Sequence, residues 1–338
     1  MTTSGTVDQA GSIFRIDSNG AVAALFHFNK AEGLSPFANL IQASDGNLYG
    51  TTAGGGPSRN GVVYRLTILP PGQLLNISTR MRVLTGDNAL IGGFIITGVD
   101  PKKVIIRGIG PSLGTLGIQG ALADPTLELH QGNTTLVAND NWKTRSDGSS
   151  QQAEVEATTI PPTNDLESAI VITLDPGAYT AVLAGRNQSI GVGVVEVYDL
   201  AQGAGSKPAN ISSRGFVDTG DNVMIGGLIV GGSGGGSTKV MVRAVGPSLS
   251  GSGVAGALQD PTLEIHNGSG TLLVFNDNWK VRSDGSSQQA EIEGTTIPPA
   301  DDRESALLAS LPSGNYTAIV RGTLNTTGIS VVEVYNIP

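Results

Sequence analysis

The chain contains no cysteine. That excludes disulfide staples, thiolate metal sites and a cysteine nucleophile, and it leaves the redox compartment open. Charge is scarce as well: Asp, Glu, Lys and Arg make up 14% of 338 residues, and aromatics only 4%. The charge that exists leans acidic, with 20 basic against 29 acidic side chains and a net of −9. An acidic chain without a basic cluster repels a phosphate backbone, so nucleic acid is not an expected partner. No apolar run is long enough to span a bilayer as a helix, and no export signal opens the sequence. Membrane insertion is therefore not expected. Low charge with ordinary hydrophobicity also argues against disorder, which needs the opposite balance.

What is present is glycine, 48 residues of it, set between short runs of Val, Ile and Leu. β-Branched runs broken by glycine and by Asp-Gly or Asn-Gly steps read as strands and hairpins. The expected class is all-β: one propeller-blade-like antiparallel sheet plus two tandem jelly-roll-like β-sandwiches.

The tandem pair follows from a repeat. Asn139-Asp140-Asn141-Trp142-Lys143 returns 137 residues later as Asn276-Asp277-Asn278-Trp279-Lys280, and these hold the only two tryptophans. The polar run 145–154 recurs at 282–291, and Thr-Thr-Ile-Pro-Pro at 158–162 recurs at 295–299. Upstream, Asn76-Ile77-Ser78 matches Asn210-Ile211-Ser212 at an offset of 134, and Val104-Ile105-Ile106-Arg107 matches Val240-Met241-Val242-Arg243 at 136. The length changes fall at 231–237 and near Asn267-Gly268, Gly-rich places suited to turns between strands.

Five segments result: a head over 1–68, a stiff Pro-Pro linker over 69–73, module 1 over 74–200, a more flexible linker over 201–208, and module 2 over 209–338. Each module shows about eight strand-like runs. In module 1 these are 81–84, 89–97, 103–108, 127–130, 136–138, 168–174, 179–184 and 192–198. That pattern predicts a jelly-roll or related sandwich. The one helix expected lies near 151–157.

In the head, Gly11-Ser12-Ile13-Phe14, the stretch 44–52 and Gly61-Val62-Val63-Tyr64-Arg65-Leu66 resemble one copy of the propeller-like repeat of extracellular proteins from Verrucomicrobia and cyanobacteria. The resemblance implies one four-stranded blade with a flexible Gly54-Gly55-Gly56 loop. Propellers need several blades, and a lone sheet has open edges. The chain is therefore expected to be the tail of a longer protein, or to cover its blade with a module or another subunit.

From Asp124 to Tyr198 module 1 carries an alternating strand, an Asn-Asp step, an acidic pre-strand, a Leu-x-Pro-Gly-x-Tyr-Thr turn and a closing Val-Glu-Val-Tyr strand. This order resembles the calcium-associated pre-peptidase C-terminal domains appended to bacterial secreted proteases. The resemblance implies a secreted or cell-surface sandwich. The leading part around Gly108-Ile109-Gly110-Pro111-Ser112 departs from that pattern.

A calcium set can be read independently. Ca²⁺ takes six to eight oxygens, and Asp124, Glu128, Asp140, Asn141, Asp165 and Glu167 supply them in module 1. Asp260, Glu264, Asp277, Asn278, Asp302 and Glu304 repeat the set in module 2. The plainer alternative is an Asx turn at Asn-Asp-Asn with Asp-Pro marking strand starts. Trp142 and Trp279 are either sugar-stacking platforms or caps on a sandwich core. Arg107 and Arg243 either pair with Glu196 and Glu333 or point to solvent. The Gly108-to-Ser112 stretch is no phosphate loop, because it lacks a Gly-Lys-Ser/Thr ending and Pro111 removes a donor. His27, His130 and His266 are too dispersed for zinc or a triad.

These residues point to a non-catalytic structural or adhesive protein with calcium-stabilised sandwiches, self-associating or contacting another extracellular protein. A carbohydrate-binding module acting on polysaccharide is the alternative. A glycoside hydrolase built on an acidic pair is the third reading.

Overall fold

Alternation of apolar and polar residues gives the head its strands. A computed structural model of the protein describes residues 2–3, 10–16, 20, 22–43, 47–66, 73–201, 205–231 and 237–337. The turns expected at 17–19 and 44–46, the 69–72 part of the first linker and the hairpin tip at 232–236 lie outside them. Residues 1–70 form one unit and 71–338 another. Among the described residues no helix is long and apolar enough to cross a membrane.

The head strands are β1 (Thr2–Thr3), β2 (Ser12–Ile16), β3 (Val22–His27), β4 (Ile41–Gln42), β5 (Leu48–Thr51) and β6 (Val63–Leu66). They lie in two three-stranded antiparallel sheets, β1-β2-β3 and β4-β5-β6, rather than one blade of four. The reason is the segment after β3. Phe28 is buried with Ala10 and Ile13, and Leu34, Leu40, Tyr64 and Leu66 pack on them. Leu34 bridges Gly54, so this segment is drawn into the core and extends neither sheet. Gly61 sits at φ +86° with its α-carbon so placed that a Cβ would lie 2.2 Å from Thr52 O. Only glycine fits there.

Module 1 folds as β7 (Gln73–Val83), β8 (Leu90–Thr97), β9 (Lys102–Ile109), α1 (Pro111–Thr115), β10 (Pro125–Gln131), β11 (Thr134–Asn139), α2 (Gln152–Glu156), β12 (Ser168–Leu174), β13 (Gly177–Gly185) and β14 (Gly191–Asp199). Module 2 repeats them as β15 (Lys207–Val217), β16 (Met224–Gly231), β17 (Thr238–Val245), β18 (Pro261–Asn267), β19 (Leu272–Asn276), α3 (Gln289–Glu293), β20 (Ser305–Leu311), β21 (Gly314–Gly322) and β22 (Gly328–Ile337). A 3₁₀ turn at Pro247–Ser252 replaces α1.

Within module 1 the first, eighth, third and sixth strands form one layer (β7-β14-β9-β12), and the second, seventh, fourth and fifth form the other (β8-β13-β10-β11). Module 2 repeats this order. Eight antiparallel strands in two Greek-key layers make a jelly roll.

The modules are not beads on a flexible string. β7 of module 1 pairs with β16 of module 2 from Ile225↔Arg80 to Gly231↔Gln73. β15 of module 2 pairs with β8 of module 1 from Lys207↔Thr97 to Arg214↔Ile91. Both layers thus run through the junction as eight-strand ladders, β11-β10-β13-β8-β15-β22-β17-β20 and β12-β9-β14-β7-β16-β21-β18-β19, linked to each other by one bridge between β15 and β7 at Phe216↔Arg82. One apolar core is shared, with Val83 and Leu90 in the same buried cluster as Val217 and Met224. Of the expected 201–208 linker, Lys207 and Pro208 already belong to β15. Ser206 is buried, its hydroxyl donating to Asp100 O at 2.5 Å and accepting from Asp100 N at 2.9 Å.

Strand alternation leaves the opposite faces of β9 and β12 for a smaller outer cluster. There Ile105 and Ala169 pack with Trp142 and Val155, brought over by the 140–167 segment. Met241, Ala306, Trp279 and Ile292 repeat it.

Candidate functional site

The repeated pentapeptide closes this outer layer, and each residue has a distinct partner. Asn139 is buried at the end of β11; its amide nitrogen reaches Thr144 O at 2.8 Å and its amide oxygen accepts from Ala169 N at 3.0 Å. Asp140 accepts from Arg186 Nη1 at 2.6 Å. Asn141 offers its carbonyl to Thr144 N and stays at the turn. Trp142 is 4% exposed and donates Nε1–H to Asn164 O at 3.1 Å. Lys143 lies over the Trp142 ring, 5.3 Å from its centroid, and pairs with Asp165 at 2.6 Å. Trp279 is equally buried. Sugar stacking by Trp142 or Trp279 is thereby overturned, because rings enclosed by core side chains present no face to a ligand. They serve as core caps.

The twelve oxygen donors expected to share calcium are dispersed. Glu167 is fully buried, and its Oε1 accepts from Gly110 N at 3.2 Å, Ser112 N at 3.0 Å and Ser112 Oγ at 2.5 Å, while Oε2 accepts from Asn164 N at 3.3 Å. Glu304 repeats this with Gly246, Ser248, Ala300 and Asp301. These carboxylates bind the chain's own backbone N–H groups, which offsets the cost of burying them. Glu128 and Glu264 pair with His130 and His266 at 3.0 and 2.8 Å. Asp302 pairs with Lys280 at 2.6 Å, as Asp165 does with Lys143. Asn141 and Asn278 turn their amides toward Asp140 and Asp277 at 3.5 and 3.4 Å. The six-residue calcium cage is therefore corrected to one acidic pair per module. Among the described residues no three His, Asp or Glu side chains are grouped to hold a metal.

Those pairs are Asp124 with Asp140, and Asp260 with Asp277. Burial pushes the Asp124 carboxyl above the usual range, Asp140 adds to the rise, and Arg186 opposes it. Arg186 lies 2.6 Å from Asp140 and 3.9 Å from Asp124. The residue 137 places on is Thr323, whose hydroxyl reaches Asp277 at 3.4 Å. Asp260 is raised by burial and then by Asp277, with Thr323 and Arg303 acting against it. A calcium ion does not fit beside Arg186, where a cation already sits. Asp260, Asp277 and Thr323 present oxygen atoms with no arginine paired to Asp277 in the way Arg186 is paired to Asp140.

A cleft of about 490 Å³ opens beside the first pair, lined by Thr126, Glu128, Asp140, Asn141, Arg145 and Ser146. A second, about 540 Å³, lies between α1 and the Pro161-Pro162 loop, floored by Arg107 and Glu196. Arg107 is held there: Nε and Nη2 donate to Glu196, Nη1 to Ile160 O at 2.8 Å, and its guanidinium covers Tyr198. Arg243, Glu333, Ile297 and Tyr335 form the same lattice of bonds. The expected Arg–Glu pairing is present in both modules. Arg107 and Glu196 are directly cross-strand on β9 and β14, as are Arg243 and Glu333 on β17 and β22.

Two features escaped sequence reasoning. The Gly-x-Gly-Pro-Ser stretch is an anion seat after all, but its anion is Glu167. A Cβ at Gly110 would lie 2.3 Å from Leu122 O, which explains that glycine. Lys102 is buried and donates to Asp199 at 2.9 Å and to Ala201 O at 2.8 Å. It sits in the polar start of its strand, Asp100-Pro101-Lys102-Lys103, so nothing local marks it as buried and only three-dimensional pairing reveals the ion pair.

No known protein family and no curated protein matches the chain. Among solved structures, a DUF4785 family protein from Legionella pneumophila subsp. pneumophila str. Philadelphia 1 is 8% identical over 81% of this chain and 89% of that one, with a TM-score of 0.22. Likeness at that level establishes neither a shared fold nor a shared function.

Proposed function

We propose that this protein is a non-catalytic structural and adhesive element, in which two jelly rolls are welded into one stiff body. The observation that carries the reading is the pair of sheets running unbroken from module 1 into module 2. A hinge between the modules would have to break two β ladders and open a shared core, which costs far more than bending a linker. Stiffness of that kind suits a spacer or contact unit that bears load. The extracellular setting is part of the proposal, resting on the likeness of the modules to domains of secreted proteases.

Calcium, in this reading, enters module 2 at Asp260 and Asp277. Melting the chain in calcium and in EDTA is expected to show a calcium-dependent rise that Asp277→Asn removes. Identical melting in both sinks the calcium part.

The structural part is tested by small-angle scattering and by fluorescence energy transfer between dyes on residues 132 and 270. A single narrow distance is expected. A broad distribution, as from two independently tumbling modules, overturns the reading. So does turnover of a polysaccharide that Asp124→Asn or Asp260→Asn abolishes.

A further inference from the structure

The junction between the modules has the geometry of a homodimer interface. Ser78 lies opposite Gly227 and Ser212 opposite Gly93. Thr79 lies opposite Gly226 and Ser213 opposite Gly92. Ser212, Ser213 and Gly227 are the repeat equivalents of Ser78, Thr79 and Gly93, each 134 residues on. Residue i therefore meets j′ while j meets i′, as in an isologous two-fold contact. Side chains follow the same rule. Arg80 donates to Asp221 O at 3.5 Å, and Arg214, its equivalent, donates to Asp87 O at 3.4 Å. On the pseudo-axis Thr79 Oγ1 donates to Ser213 Oγ at 2.6 Å, both buried.

The close approach sets each serine hydroxyl against a glycine, so any side chain there would force that hydroxyl to turn away. A Cβ at Gly93 would fall 2.8 Å from Ser212 Oγ, and one at Gly227 2.5 Å from Ser78 Oγ. The repeated Asn-Ile-Ser and Ile-Gly-Gly segments are thus two halves of one docking surface. They meet across the junction, not within a module.

The symmetry is broken where Arg82 pairs with Asp218 at 3.0 Å, their equivalents being Phe216 and Leu84, and again at Met81. Met81 fills the space beside Gly215, where a Cβ would lie 1.9 Å from Met81 Sδ. Gly215 is the repeat equivalent of Met81, 134 residues on. A module 1 face against another module 1 face sets methionine against methionine, and two module 2 faces leave a void. Only unlike modules supply a knob and a hole.

We propose that the β7–β8 face of module 1 and the β15–β16 face of module 2 form an interlock that also accepts the unlike module of a second copy of this chain. Two copies then exchange modules into a closed dimer, each junction built as it is within one chain. Exchange of identical elements is a low-cost route to such dimers, because the same contacts are made in cis and in trans. The proposal stands on the junction alone and survives failure of the structural and adhesive reading.

The test uses the full chain with a specific protease site placed in the 200–206 connection, cut after folding. Native mass spectrometry is expected to show the halves still paired one to one. Mass-labelled and unlabelled chains are then unfolded together, refolded at high concentration and analysed uncut and cut. The uncut sample is expected to contain mixed dimers. The cut sample is expected to contain labelled module 1 with unlabelled module 2, and no pairs of like modules. Halves that separate on cutting, a refolded sample holding monomer alone, or like pairs as frequent as unlike ones each overturn the proposal. Gly215→Met is expected to weaken pairing of the cut halves by about tenfold to a hundredfold, the usual size of an overpacking penalty. Adding Met81→Gly is expected to restore it. Failure of the double variant to recover refutes the knob and hole, and the unsubstituted exchange experiment still decides should the single variant not fold.

Discussion

Module 1 and module 2 share strand order, the Asn-Asp-Asn-Trp-Lys turn and the Arg–Glu–Tyr lattice, yet they treat charge differently. Module 1 buries an ion pair, Lys102 with Asp199, at 1% and 3% side-chain exposure. The equivalent positions in module 2 are Thr238 and Asn336, and the Thr238 hydroxyl is buried without a partner. Module 1 answers its acidic pair with Arg186, where module 2 has Thr323. Trp142 Nε1–H finds Asn164 O, whereas Trp279 Nε1–H is buried unpaired. Two copies can therefore hold one fold while differing wherever a polar group has a choice of partner. The shared features mark what the jelly roll needs, and the differing ones mark where it is tolerant.

The largest effect expected from breaking this comparison lies at Lys102. Lys102→Ala leaves Asp199 buried and uncompensated, and removing one partner of such a pair costs about 3–5 kcal/mol. Chemical denaturation measures it. The double change Lys102→Thr with Asp199→Asn grafts the module 2 pair onto module 1 and is expected to cost less than Lys102→Ala alone. A single variant within about 1 kcal/mol of wild type, the range of exposed ion pairs, refutes the buried-pair reading.

Next in size is a feature the modules share. Glu167→Ala and Glu304→Ala each orphan several donors, most of which water entering the vacated space satisfies, so the expected net cost is about 1.5–3 kcal/mol, the worth of one hydrogen bond to a charged group. Both are expected to destabilise, and by similar amounts. Ser112→Ala and Ser248→Ala remove one donor each and should cost less. A Glu304 variant that is silent where Glu167 is not would show that the common geometry hides different roles.

Most of the fold within each module was legible, and the reason is local. All eight strand runs of module 1 correspond to strands, because apolar alternation is a property of neighbouring residues. The Arg107–Glu196 pair was legible because both charges interrupt apolar runs and both recur. The junction was not, although its glycines and serines are printed twice. Gly92-Gly93 reads as a weak point in a strand until Ser212 is known to lie against it. Glu167 was misassigned for a related reason: composition shows that an acceptor exists, but only the fold shows whether backbone N–H groups or a cation face it. The head failed differently, since the core-seeking Phe28 and Leu34 divide its strands in a way alternation does not encode.

The smallest expected effect separates the two acidic pairs by pH. Asp260 has its carboxyl pKa raised by burial first and by Asp277 second. A raised carboxyl contributes stability that is fully present below its unfolded pKa, about 3.9, and lost as pH rises through the folded value. Ionised Asp260 therefore weakens the fold at neutral pH, and Asp260→Asn should melt higher than wild type at pH 7 and no higher at pH 3. Asp124 is raised in the same direction, but Arg186 opposes the rise at short range, so Asp124→Asn should gain less. Partial exposure and screening keep both gains below about 1 kcal/mol. Melting each variant across pH 3–8 in EDTA measures the difference. The decisive control is Arg186→Thr, which gives module 1 the threonine of module 2 without Arg303, whose counterpart is Leu166, and should raise the Asp124→Asn gain to at least that of Asp260→Asn. If the gain stays unchanged, Arg186 is not what separates the two pairs, and the contrast must come from the different burial of their carboxyls.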